Sequence, residues 1–360
     1  MTVHAIVLAA GEGTRMRSTR PKPLHRICGR SMVMHVIYAL EGVPLEQTIV
    51  VVGHGADRVT KSVQEEAPSW AGVKFTEQTV QRGTGDAAMV GLRACGEERL
   101  DDASTVLILP GDTPLLRAET IQHLVKTHES AQNAATVLST TVDDPAGYGH
   151  IIHNRAGRVT RIVEHKDATD EEREINEINT GIYAFRRDVL GPALRRIDNN
   201  NSQSEYYLTD VVEVLAEMGH TVQSVPAPYS ETAGVNDRLQ LALAERELRA
   251  RINHQWLLNG VTMLDPAQAF IDVTVDIGRD VTVFPGVILQ GDTHISDGCE
   301  IGPGSHIVDS HIGQRTHIHS STIKKATVGA DAIVGPYVFL SPGSTVADGQ
   351  NTGAFYTGHS

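Results

Sequence analysis

The chain has 360 residues, 40% of them hydrophobic and 21% charged, with a formal net charge of −13; this suits two domains of ordinary soluble composition, and the acidic balance excludes a nucleic-acid partner. Cys28, Cys95 and Cys299 are too far apart for a disulfide framework or a metal-ligand spacing, so reduced thiols are expected. The apolar start is six residues long, too short for a signal peptide, and no run approaches the ~20 residues of a membrane span, so a cytoplasmic protein with no membrane partner is expected.

The first apolar run, residues 5–10, predicts a buried strand that breaks into a loop holding Gly11, Gly13, Arg15 and Lys22. Glycines allow sharp turns and close approach to a ligand, and successive N–H groups in such a turn form an anion-binding nest. Arg15 and Lys22 add cationic donors for phosphate oxygens. The loop is not a Walker loop, since no Gly-Lys-Ser/Thr follows at the required spacing. It is not a dinucleotide fingerprint either, because Met16 stands at the third glycine and no acidic residue closes the second strand. On its own it is either a nucleoside triphosphate loop or a strand-to-helix turn with surface cations.

Further strands are predicted over 48–52, 73–77, 105–109 and 134–140, and helices over 31–40, 56–66, 84–94 and 119–130, with Ser31 and Thr84 as N-caps. Alternation of this kind predicts an α/β fold, a mostly parallel sheet covered by helices on both faces. Such sheets bind ligands at the carboxyl ends of their strands. The glycine loop falls there, and so does Gly111-Asp112, where a carboxylate can serve as a Mg2+ ligand or simply shape a turn. After the third strand, Gln78 and Gln81 carry amides suited to a nucleobase edge, and Gly83 and Thr84 can offer backbone groups at a helix N-terminus. The polar islands Gly147-Tyr148-Gly149, Glu164-His165-Lys166 and Asn179-Thr180-Gly181 suit sugar hydroxyls or hairpin turns.

Residues 235–258 read as one long helix, and beyond it the periodicity changes. Ile277, Val283, Leu289, Ile295, Ile301 and Ile307 recur every six residues, and the series runs on through Ile312, Ile318, Ile323, Val328, Val334, Leu340 and Val346 with three steps shortened to five. A small residue usually follows four positions later, as at Val281, Cys299, Ser305, Thr322, Thr327 and Ala332. This is the pattern of a left-handed parallel β-helix, here of about four coils, whose aliphatics stack inside and whose coils need their neighbours to bury them. His294, His306, His311, His317 and His319 fall at corner or outward positions and read as solvated.

Taken together, these motifs resemble those of the N-acetylglucosamine-1-phosphate uridylyltransferases, a family whose usual member also carries an acetyltransferase. The resemblance rests on Leu-Ala-Ala-Gly-x-Gly-Thr-Arg-Met at 8–16, Pro21-Lys22, Gln78, Gly83-Thr84-Gly85, Gly111-Asp112 and Gly147-Tyr148-Gly149. It extends through Glu164-His165-Lys166-Asp167-Ala168-Thr169, Asn179-Thr180-Gly181, Glu205-Tyr206-Tyr207-x-Thr209-Asp210 and Gly234-Val235-Asn236. It implies a Rossmann-like nucleotidyltransferase domain over 1–230, a connecting helix over 231–260 and a hexapeptide-repeat β-helix over 261–360. It also implies that UTP and N-acetylglucosamine-1-phosphate become UDP-N-acetylglucosamine and pyrophosphate. Leu8, Ala9, Ala10, Gly11, Gln78, Gly83 and Thr84 would hold the nucleotide, Gly111 would be substrate-binding, and Arg15 and Lys22 would face the phosphates. Gly149, Glu164 and Asn179 would bind the sugar, while Asp112 and Asn236 would ligate Mg2+.

The same resemblance implies a homotrimer packed through residues 265–350. Glucose-1-phosphate or TTP as substrate, and a non-catalytic assembly subunit, are the competing expectations. Two departures concern selectivity: Thr-Val-Gln-Arg at 79–82, and His150 where the family usually has arginine. A third concerns the β-helix. Ser341-Pro342-Gly343 replaces the family's Arg-Pro-Gly, and the segment from Gly353 to Ser360 lacks its lysine, so no acetyltransferase activity is expected.

Overall fold

The structure, a computed structural model, describes residues 2–96 and 103–358. It divides into two compact units, one of Met1–His25 with Ser31–Leu241, the other of Arg26–Arg30 with Ala242–Ser360.

The first unit is built on a nine-stranded sheet. Its strands are β1 (Val3–Ala9), β2 (Leu45–Val52), β3 (Val73–Glu77), β4 (Thr105–Pro110), β5 (Ala135–Thr141), β6 (His150–His153), β7 (Val159–Val163), β8 (Glu177–Arg186) and β9 (Val222–Pro226). The order is β9-β5-β8-β4-β1-β2-β3, with β6 and β7 added as a hairpin beside β8. β1 runs parallel to β2 and β4, whereas β8 is antiparallel to both β4 and β5, so the sheet is mostly parallel as expected.

Near-continuous apolar strands follow from burial on both faces. Along β1, Ile6 joins the core on one side while Ala5, Val7 and Ala9 join the core on the other. Helices α1 (Met32–Tyr38), α2 (Ala56–Glu66) and α4 (Ala118–Ala131) cover the second face, and α3 (Thr84–Ala94) covers the first. The first face is also closed by α6 (Arg187–Leu194) and α7 (Asp210–Glu217), while α5 (Asp170–Arg173) and α8 (Tyr229–Thr232) are single turns.

Most element bounds lie within two residues of expectation. β2 begins three residues early, at Leu45, because polar Gln47 is buried and satisfied there, donating to Cys95 O at 3.0 Å. The cap expectations change more. Ser31 precedes α1 without a side-chain capping bond. The N-cap of α3 is Gly83, and the Thr84 hydroxyl instead accepts from Leu208 N at 3.0 Å.

Helix α9 (Arg238–Leu258) starts at Arg238, not Val235. Asp237 Oδ1 caps it by accepting from Gln240 N at 2.8 Å, and Val235 N is already committed to Asp112 O at 2.9 Å. Among the described residues no helix is long and apolar enough to cross a membrane.

The second unit is a left-handed parallel β-helix of three five-stranded parallel sheets, hence five coils. The coil missed from sequence contains Met263 and Ile271, before the beat starts at Ile277. A 3-10 turn (Pro266–Gln268) separates those two strands and breaks the six-residue spacing. Every aliphatic of the series from Ile277 to Val346 is buried. Filling an aliphatic site in this way is worth roughly 1.5–3 kcal/mol.

The second inward position needs correction at three corners. Where the step shortens to five, the small inward residue comes three positions after the aliphatic, at Ser310, Ser321 and Ala326. Thr322 and Thr327 therefore point away from the core. A shortened corner removes one residue between the two inward side chains, and with a period of two along each strand the parity must follow.

The repeat histidines do lie outward, but His294, His306, His311 and His317 make contacts between coils. His294 Nδ1 meets Asp276 Oδ2 at 2.8 Å and its ring stacks on His311 at 4.6 Å. His317 Nδ1 meets Glu300 Oε2 at 3.1 Å. Residues 26–30 belong to this unit: Cys28 N donates to Glu245 Oε2 at 2.7 Å, and Cys28 O accepts from Val273 N at 3.0 Å. His359 and Ser360 of the terminal departure lie outside the described residues.

Candidate active site

A cavity of about 780 Å³ opens at the carboxyl ends of β1, β3, β4 and β5. Leu8, Ala9, Ala10 and Gly11 line it where β1 ends, and Gly111 and Asp112 where β4 ends. Gln78 and Gly83 come from the loop between β3 and α3, Thr84 from the first position of α3, and Gly149, Glu164 and Asn179 from β6, β7 and β8 or their ends. Lys22 and Asn236 complete the wall. Arg15 is the exception: it does not line the cavity, but its Nη2 donates to Asn236 Oδ1 at 2.9 Å. A smaller hollow of about 490 Å³ between Gly42–Pro44 and Gln122–Ser130 contains none of these residues.

The cationic end is organised around the Lys22 ammonium. It donates to Asn236 Oδ1 at 2.8 Å and, in a shorter contact, to Asp112 Oδ2. Residues 22, 112 and 236 are thus joined across 214 positions of chain. The 2.9 Å bond from Val235 N to Asp112 O holds the two oxygen-bearing side chains side by side. One carboxylate and one amide oxygen converge on a single cation. That donor set fits Mg2+, which takes few protein oxygens and completes its shell with phosphate and water.

Gln78 is buried, and its Nε2 donates to Gly83 O at 3.2 Å and Asp86 Oδ2 at 2.7 Å. Its amide N–H groups therefore brace the loop. Gln81 Nε2 donates to Ala10 O at 3.2 Å, tying this loop to the first one.

At the opposite wall, burial pushes the Glu164 carboxyl above its ordinary pKa and Asp167 adds to the rise, whereas the Thr209 hydroxyl bond and nearby His150 oppose it. Thr209 Oγ1 donates to Glu164 Oε1 at 3.3 Å. Asn179 N donates to Gly149 O at 2.8 Å, and Asn179 Oδ1 accepts from Gly181 N at 3.0 Å. Burial likewise pushes the Tyr183 phenol up, so it enters the cavity wall as a neutral hydroxyl. The wall is neutral or weakly acidic, the chemistry of hydroxyl recognition.

His150 does not line the cavity. It is fully buried, with Nδ1 at 3.0 Å from Ile175 O and Nε2 at 3.1 Å from His165 Nδ1. Its departure from the family pattern is thus absorbed behind the wall. Thr140, Tyr183, Thr209 and Tyr229 line the cavity without having been assigned a role from sequence. Thr209 belongs to the Glu205–Asp210 motif, but nothing in the order of residues distinguishes Tyr229.

A family model for the MobA-like NTP transferase domain matches residues 5–190. Over 352 residues the chain is 42% identical to the bifunctional protein GlmU of Halalkalibacterium halodurans, covering 98% of this chain and 75% of that protein. Similarity to the bifunctional protein GlmU of Streptomyces avermitilis is 46% identity, covering 97% and 72%. For that of Caldanaerobacter subterraneus subsp. tengcongensis it is 44% over 342 residues, covering 95% and 72%.

Proposed function

The chain belongs to the GlmU family and is a nucleotidyltransferase, and on that premise we propose that it converts UTP and N-acetylglucosamine-1-phosphate to UDP-N-acetylglucosamine and pyrophosphate. The observation that carries this reading is the meeting of Lys22, Asp112 and Asn236 at one end of a cavity whose other wall is Gly149, Glu164 and Asn179. One end suits a triphosphate and the other a sugar.

The nucleophile is a phosphate oxygen of the sugar phosphate, already anionic near neutral pH, so no general base is required. It forms a bond to the α-phosphorus as the bond from that phosphorus to the β-phosphate bridging oxygen breaks. The obstacle is anion against anion, and positioning plus charge neutralisation overcome it. Lys22 and Arg15 bring positive charge to the triphosphate, and Asp112 and Asn236 would hold Mg2+. When bound, that ion would offset charge on the phosphates and orient the leaving pyrophosphate. Glu164 and Asn179 would hold the sugar so that its phosphate faces the α-phosphorus.

Pyrophosphate release should be fastest with UTP and N-acetylglucosamine-1-phosphate among pairs that include glucose-1-phosphate and TTP, and chelation of Mg2+ should stop it. Equal turnover with every pair would overturn the substrate assignment. A second arm adds acetyl-coenzyme A and glucosamine-1-phosphate. Ser341 stands at the β-helix corner where the family pattern has arginine, and its Oγ lies 3.3 Å from Ser344 Oγ, so the corner offers hydroxyls and no bidentate phosphate donor. No thiol release above background is expected from this chain, and a steady enzyme-dependent rate would refute it.

The family premise also leads to a homotrimer through residues 265–350, whose outer faces are flat parallel sheets. Light scattering at micromolar protein should return three times the 38.9 kDa chain mass, and a monomer mass would count against it.

A further inference from the structure

Two tyrosines on different elements meet at the cavity: Tyr148 Oη lies 3.1 Å from Tyr229 Oη, and both side chains line it. Tyr148 stands in the loop between β5 and β6, with Gly147 before it at φ 85° and Gly149 after it. Gly149 packs close to the sugar wall: a Cβ there would lie 3.5 Å from Glu164 Oε1 and 3.5 Å from Asn179 Cβ. Tyr229 opens α8, which leads within a few residues to Gly234, Val235 and Asn236 beside Asp112. The hydroxyl pair therefore joins the loop of the sugar wall to the segment of the metal-ligand wall.

We infer that this hydroxyl pair is a clasp that pre-orders the Gly147–Gly149 loop for the sugar phosphate, which makes Tyr229 a positioning residue acting through Tyr148. The inference rests on the reaction proposed above. A glycine-flanked loop has many conformations, and a ligand that needs one of them binds more weakly in proportion to the fraction so ordered. Tyr229 is 45% exposed, and its hydroxyl bonds to Tyr148. Burial and the partner hydroxyl push the Tyr148 phenol well above its ordinary range, so it stays protonated at any working pH, and either hydroxyl can donate to the other.

The test is Tyr229→Phe, Tyr148→Phe and the double variant. With a neutral hydrogen bond of ordinary net strength, each single change should raise KM for the sugar phosphate about three- to tenfold. Values of kcat and of KM for UTP should stay within about twofold, because the ordered complex is the same once formed. The double variant should match the singles, since either one breaks the same bond. Amide hydrogen exchange over residues 143–149 of the free protein should quicken in each variant with no change in melting temperature.

An unchanged sugar-phosphate KM in Tyr229→Phe, an equal rise in KM for UTP, or additive effects in the double variant would overturn the clasp. If the wild-type chain turns over no sugar phosphate, the reaction assignment fails instead. The exchange measurement then decides the clasp by itself, and unaltered exchange rejects it.

Discussion

Asp112→Ala is expected to lower kcat/KM for uridylyl transfer by on the order of 10²–10³ or more while leaving the protein folded. The carboxylate is one of two oxygen groups converging on the Lys22 ammonium, and it is the charged one. Removing it takes away the anionic group that would hold Mg2+ and leaves Asn236 as a neutral partner only. It also removes the Lys22 ammonium's charged partner and leaves the bond to Asn236, so the cation is held less firmly. Folding should be spared because the Asp112 side chain is 26% exposed at a strand end and its structural bond to Val235 is made by the backbone carbonyl. Steady-state kinetics against Mg2+ concentration, with a thermal melt of the same preparation, checks both halves. Near-normal turnover with an unchanged Mg2+ requirement would remove Asp112 from the metal site. Asp112→Asn should be nearly as damaging, because it preserves shape and loses charge.

Gly83→Ala should damage the fold and the nucleotide wall together. Gly83 has φ 109° and ψ 177°, a region open essentially to glycine alone. A Cβ built there would stand 2.5 Å from Tyr206 O and 2.9 Å from Tyr206 N, and backbone atoms cannot swing aside as a side chain end can. The neighbouring bond from Gly85 N to Tyr206 O, 2.8 Å long, locks the same two segments together and would be strained with it. Gln78 donates to Gly83 O, so the brace of the loop would shift as well. The expected cost is about 3 kcal/mol. That corresponds to a fall in melting temperature of roughly 6–12 °C for a unit of this size, with a rise in KM for UTP in the fraction still folded. An unchanged melting curve would show that the loop tolerates a side chain.

Much of the β-helix was legible because its core is a one-dimensional stack. Each inward aliphatic must meet the aliphatic one coil away, so the spacing along the chain reports the spacing in space. The first coil was hidden because a 3-10 turn interrupts the beat before Ile277. The inward residues at the shortened corners were misplaced because removing one residue reverses which side chain points in. In the sheet unit, apolar runs revealed the strands, but the N-cap at Thr84 was misread. Its hydroxyl answers Leu208, a partner no local pattern announces.

Residue order alone determined that a glycine-rich cationic loop follows the first strand, that Gly111-Asp112 ends a later one, and that a hexad repeat closes the chain. These are local or periodic features, written in neighbouring residues. Only the tertiary structure decided that Asn236 shares an ammonium with Asp112, that Gln78 spends its N–H groups on its own loop, and that Tyr229 reaches Tyr148 across 81 residues. Such contacts depend on how parallel strands are ordered in the sheet and on where their carboxyl ends converge. The long-range hydrogen bonds that follow satisfy groups whose local partners are absent, so chain spacing carries no trace of them.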